Sequence, residues 1–127
     1  MSHSKLKRVL GTLAVSAMLA SPMAVSASEV SEEEMKQRVA QGKELAWNRA
    51  QGNCLACHMM PEGTSPGNIG PALIAMQLRY PDRQKLFDKL WGVKETEVKY
   101  SMMPLFGRHG ILSDDEINLI VDYLYTL

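Results

Sequence analysis

Apolar positions first appear along this chain as an unbroken block. Residues 9–20 form a run of 12 apolar or small residues, preceded by Lys5, Lys7 and Arg8 and closed by Ser21-Pro22. A membrane-spanning helix needs roughly 20 such residues. A basic start, a short apolar stretch and small residues at Val25 and Ala27 predict instead a secretory leader over 1–27, cleaved after Ala27. No cysteine stands directly after that cleavage point to carry a lipid, so the expectation is an exported chain without a membrane anchor, residues 28–127 forming one domain in the periplasm.

Beyond the leader the apolar positions become periodic. Ser31 with Glu34 is a capping-box signal, and Met35, Val39, Gly42, Ala46 and Ala50 then share one face of a helix over 32–48. Gly42 in its middle marks either a close backbone crossing or a tolerated glycine. Residues 61–71 are rich in glycine and proline and predict an irregular loop. Pro71 suits the first position of a short helix through Leu78, and Asp82 caps another whose apolar positions are Leu86, Phe87, Leu90 and Trp91. Residues 94–110 carry no clean period. The last stretch is the clearest: Ser113 and Glu116 form a second capping box, Asp114 and Asp115 favour a helix N-terminus, and Ile117, Ile120, Val121 and Leu124 repeat at helical spacing. No segment alternates with the period of a strand. The pattern predicts an all-α fold of about five short helices.

Composition narrows the class. With 46% hydrophobic and 22% charged residues in 127, the chain is ordinary globular protein. Two cysteines cannot build a disulfide scaffold. Three of the 14 basic residues and none of the 14 acidic ones lie in 1–27, so residues 28–127 carry a formal charge of −3. That balance gives no electrostatic footprint for nucleic acid.

The two cysteines fall in Cys54-Leu55-Ala56-Cys57-His58, the C-x-x-C-H pattern of covalent c-type haem attachment. On a helical turn the residues at i, i+3 and i+4 share a face. Two thiols can therefore add to the two vinyl groups along one porphyrin edge while the histidine beside them lies under the iron. A plain disulfide or a thioredoxin-type redox pair competes with this reading, but the latter belongs in a βαβ context and neither requires His58. A zinc site would need a fourth strong ligand, and the only other histidine of 28–127 is His109. The sequence thus points to one covalently attached haem c with Cys54 and Cys57 as attachment points and His58 as axial ligand. Pro71 is placed to offer its carbonyl to the His58 Nδ1 hydrogen, with a simple loop proline as the alternative.

The sixth iron ligand must come from the opposite face of the ring, which Met59 and Met60 cannot easily reach. Ser101-Met102-Met103-Pro104 offers two candidates. Pro104 forces Met103 into an extended conformation, and neighbours in an extended segment point to opposite sides. Met103 is chosen as the ligand, with Met102 as runner-up; the remaining methionines read as apolar filling. His109 sits in a polar turn and reads as a surface residue. Trp47 and Trp91 read as core or haem-wall residues, and Arg79, Arg83, Lys85 and Lys89 as either a docking patch or a solvated helix face. Paired histidine and methionine ligands leave no open site on the iron and raise its potential relative to two histidines, which argues for electron transfer.

Four blocks together resemble a known family: residues 52–58 around the motif, Ile69-Gly70-Pro71-Ala72-Leu73, Met102-Met103-Pro104-Leu105-Phe106-Gly107, and Gly110-Ile111-Leu112-Ser113 opening a helix that closes on Tyr123-Leu124-Tyr125-Thr126-Leu127. They resemble SoxX, the monohaem c-type cytochrome of bacterial sulfur oxidation. The first two blocks recur in many class I cytochromes c; the last two favour SoxX. The chain departs from the family pattern in reading Lys99-Tyr100-Ser101 where an Asn-Pro-x-Thr turn is usual, and Leu105 where a second proline is common. The resemblance implies a class I cytochrome c fold whose first and last helices cross, with one covalent haem held by Cys54 and Cys57 and ligated by His58 and Met103. It further implies a heterodimer with a SoxA-like haem protein. That complex acts as an L-cysteine S-thiosulfotransferase, joining thiosulfate oxidatively to a cysteine of a SoxYZ-like carrier, with the bond-forming site on the partner. This chain would accept electrons singly and pass them to a small soluble cytochrome c. A freely diffusing cytochrome c serving an oxidase is the alternative.

Overall fold

A computed structural model describes residues 30–127. The leader over 1–27 lies outside the described residues. Within them are four helices, α1 (Glu32–Trp47), α2 (Met76–Arg79), α3 (Arg83–Trp91) and α4 (Asp114–Leu124), and two short 3-10 turns, Cys54–Ala56 and Lys94–Thr96. No strand occurs among the described residues, and the all-α fold expected from the periodicity is what forms, in the class I cytochrome c-like arrangement that the family resemblance implies.

The helix ends follow their capping chemistry. Ser31 Oγ accepts the Glu34 N–H at 3.2 Å, although the reciprocal arm from Glu34 is not made and only half the expected box exists. At α4 both arms close: the Ser113 N–H donates to Glu116 Oε2 at 2.8 Å and the Glu116 N–H to Ser113 Oγ at 3.3 Å. Asp82 caps α3 by accepting from the Gln84 N–H at 2.9 Å. That helix ends at Gly92, whose φ of +91° suits a residue without a Cβ.

α1 and α4 cross in direct backbone contact, and Gly42 permits it. A Cβ at that position would run into the carbonyl of Leu119. The glycine is therefore a close-approach residue. Around the crossing Ala46, Ile117, Ile120, Val121 and Leu124 are buried, joined by Leu86 and Leu90 of α3. Met35 and Ala50, assigned to the same apolar face, are exposed. Met35 lies one turn before the crossing begins, and Ala50 sits in the turn that follows the helix.

One further expectation is corrected. The helix from Pro71 does not form: only Met76–Arg79 is helical, and Ala75 before it is left-handed with φ +51°. The donors and acceptors of 71–75 are committed elsewhere. The Leu73 N–H donates to the Met59 carbonyl at 2.8 Å, the Ala75 N–H to that of Leu127, and the Pro71 carbonyl accepts from His58. Four helices and two 3-10 turns thus stand where about five short helices were expected. Residues 94–110, aperiodic in sequence, find order at the C-terminal end of α3. There the Leu90 and Trp91 carbonyls, left without partners inside the helix, accept the Phe106 and Arg108 N–H groups at 3.1 and 3.0 Å.

Among the described residues, one charged group is buried. Asp122 on α4, 8% exposed, is gripped by Arg38 of α1 (Nε to Oδ2, 2.7 Å) and Arg83 of α3 (Nη2 to Oδ1, 2.6 Å). Arg83 also reaches the Asn118 side chain at 2.7 Å. Its place in this three-helix tie takes it out of the basic docking patch considered with Arg79, Lys85 and Lys89.

Candidate functional site

The motif follows α1 through a tight turn. The Gly52 N–H returns to the Leu45 carbonyl at 3.1 Å, and a Cβ on Gly52 would lie 2.7 Å from the same oxygen. Asn53 then adopts a left-handed conformation (φ +49°) that opens the 3-10 turn Cys54–Ala56. The Cys57 and His58 N–H groups both donate to the Cys54 carbonyl, at 3.2 and 2.9 Å. One turn of chain thus carries both thiols and the imidazole. Cys54 and Cys57 are free rather than disulfide-bonded.

The glycine- and proline-rich loop over 61–71 folds back along this turn. Its Gly67 and Gly70 N–H groups donate to the Leu55 and Cys57 carbonyls, both at 2.8 Å. Gly70 lies flush against the imidazole, where a Cβ would come within 2.8 Å of Nε2 and closer still to Nδ1. The next residue supplies the orienting contact: His58 Nδ1 is 2.6 Å from the Pro71 carbonyl oxygen. A carbonyl only accepts, so Nδ1 carries the proton. The lone pair of the neutral ring is then on Nε2, the arrangement a metal-bound histidine requires.

Burial pushes the Cys54 thiol up to about 11. A thiol–disulfide catalyst needs the opposite, a thiolate stabilised near neutral pH. Nor do three or more His, Cys, Asp or Glu side chains converge anywhere among the described residues.

The methionines sort clearly. Met60 and Met76 are core residues at 2% exposure, and Met59 is exposed. Met103 is half-buried and packs against the core, whereas its neighbour Met102 is 76% exposed. His109 is exposed. Cys54, Cys57, His58, Gly70 and Pro71 are brought together by hydrogen bonds and packing, and Met103 is presented from a separate segment beyond α3. Trp47 and Trp91 are half-buried and anchored by their indole N–H groups, to Tyr123 Oη at 3.1 Å and Asp114 Oδ1 at 2.9 Å. Sequence reasoning missed the role of Gly70. Its signal was the glycine immediately before the proline whose carbonyl holds His58.

These features fit a covalently held haem: two unpaired thiols on one turn, an imidazole with Nε2 directed by its Nδ1 bond, and apolar side chains such as Met59, Ile69 and Val98 left uncovered on the flanking loops. Residues 39–127 match the cytochrome c family, and the chain belongs to that family. Over 76 residues, 59% of its length, it is 37% identical to an uncharacterized lipoprotein of Aquifex aeolicus (strain VF5). That match covers 36% of the relative, so the chain spans about a third of the relative's length. Membership of the family brings a covalently bound haem c and electron transfer as its work.

Proposed function

We propose that this protein is the electron-transfer subunit of a periplasmic SoxXA-like complex that joins thiosulfate to a cysteine of a carrier protein. The observation that carries the reading is the order and spacing of Met103-Pro104-Leu105-Phe106-Gly107, Gly110-Ile111-Leu112-Ser113 and the closing Tyr123-Leu124-Tyr125-Thr126-Leu127. Each block has structural work that explains its residues. Phe106 is buried and its carbonyl accepts from the Ile111 and Leu112 N–H groups at 2.8 and 3.2 Å. Tyr125 Oη donates to the Tyr80 carbonyl at 2.7 Å. The match to a lipoprotein supports a place outside the cytoplasm, and no described helix is long and apolar enough to cross a membrane.

In this reading Cys54 and Cys57 would hold the haem through thioethers, His58 Nε2 and the Met103 sulfur would ligate its iron, and haem c would supply one-electron exchange. The chain's own contribution is positional. Pro71 and Gly70 fix the imidazole plane, the α1–α4 crossing fixes the turn that carries the thiols, and the segment docked on α3 presents Met103. With side chains as both iron ligands, the site would favour electron transfer over oxygen or peroxide chemistry.

The test is purification of the mature protein from its native periplasm, size exclusion, and staining of the fractions for covalent haem. Co-elution with a second haem-bearing chain, and thiosulfate-dependent reduction only when that partner and the carrier are present, is the expected result. A haem-positive monomer that thiosulfate reduces unaided would overturn the proposal in favour of a freely diffusing carrier.

A further inference from the structure

Two adjacent methionines precede Pro104, and a slip of one residue would exchange which of them faces inward. The structure holds one register, with Met103 half-buried against the core and Met102 76% exposed. Pro104 restricts Met103 to extended conformations, but this acts only on the backbone of one residue and does not bar rotation of the segment before it. That segment is held by a chain of three local features. The Ser101 N–H donates to the Val98 carbonyl at 3.0 Å, Tyr100 between them is left-handed with φ +63°, and Ser101 Oγ accepts the Met103 N–H at 3.1 Å. Downstream, the Phe106 N–H is fixed to the Leu90 carbonyl at 3.1 Å. Between Val98 and Phe106, Ser101 Oγ is thus the side-chain contact that ties the methionine pair to the turn before it.

From this we infer that Ser101 is a positioning residue that selects Met103 over Met102 as the inward-facing methionine. The hydroxyl closes a short ring from residue 101 to the N–H of residue 103, a local bond that serine and threonine form readily and alanine cannot. With that ring closed, the Met102 side chain is directed away from the face that Met103 occupies. With it open, the left-handed turn at Tyr100 is held only by the Ser101 N–H bond to the Val98 carbonyl, nothing ties Met103 to it, and either methionine can be turned inward. The inference rests on the proposed axial role of Met103, and the test separates the two.

The experiment uses the haem-loaded protein and two readouts independent of turnover: the methionine-to-iron absorption band, and the relative oxidation of Met102 and Met103 by dilute peroxide, resolved by peptide mass spectrometry. In the parent, Met102 oxidises at least several-fold faster than Met103. Met103→Leu loses the band, because Ser101 still holds Met102 outward; persistence of the band in that variant would overturn the axial role of Met103 itself. Ser101→Ala retains a band but brings the two oxidation rates within about twofold, and Ser101→Ala combined with Met103→Leu regains the band through Met102. Ser101→Thr behaves as the parent. Should Ser101→Ala leave Met103 as protected as in the parent, or the double variant show no band, Ser101 does not select between the methionines.

Discussion

At the scale of single residues, the site depends on orientation more than on reactivity. His58 is held by the 2.6 Å bond from Nδ1 to the Pro71 carbonyl and by Gly70 against the ring. Gly70→Ala is therefore expected to displace the imidazole and to cost about 1–3 kcal/mol of stability, as overpacking does; denaturant titration of the holoprotein measures it, and a shift in its visible spectrum reports the ring. Met103→Ala is expected to open the iron site and lower the reduction potential, read by spectroelectrochemistry; an unchanged potential would assign the ligand to Met102. Tyr123 supplies a pH dependence. Burial raises its pKa, with the Trp47 hydrogen bond opposing. The folded state thus keeps the phenol proton to higher pH than the unfolded chain, whose tyrosines titrate near 10. Its contribution is complete below about pH 9 and is lost as pH rises through the folded value. Tyr123→Phe should flatten that alkaline limb in melts between pH 9 and 11.

Secondary-structure elements show which signals were local and which were not. Ser31, Asp82 and Ser113 announced three helices because capping is a contact between near neighbours, and those helices begin where the caps stand. The helix expected from Pro71 failed because the polar groups of 71–75 are used by Met59, Leu127 and His58, residues distant in sequence. Gly42 was ambiguous for the same reason: a glycine in a helix is merely costly until the Leu119 carbonyl is seen against it. Gly42→Ala is expected to force α1 and α4 apart, with a thermal melting point lowered by more than ten degrees, whereas Gly110→Ala, with no atom near its missing Cβ but φ of +65°, should cost only about 1 kcal/mol.

For the molecule as a whole, three helices meet at one carboxylate. Asp122 answers Arg38 and Arg83 at once, so Asp122→Asn leaves two guanidiniums facing each other over an uncharged amide. The expected cost is about 2–4 kcal/mol, somewhat less than breaking a fully buried pair because both arginines retain some solvent. Urea unfolding of the holoprotein checks it, and a loss below half a kcal/mol would show the tie to be incidental.

The sequence alone determined the helical class, the starts of the three capped helices and the haem motif, since each depends on residues within a few positions of one another: caps on the next turn, thiols at i and i+3. The tertiary structure alone decided that Gly42 is a crossing point, that Gly70 bears on the imidazole, that Arg83 turns inward to Asp122, and that an aperiodic stretch ends in order against α3. Those depend on groups brought together from far along the chain. Local chemistry fixes what an element is, and only packing fixes which of its faces, carbonyls and charges find a partner.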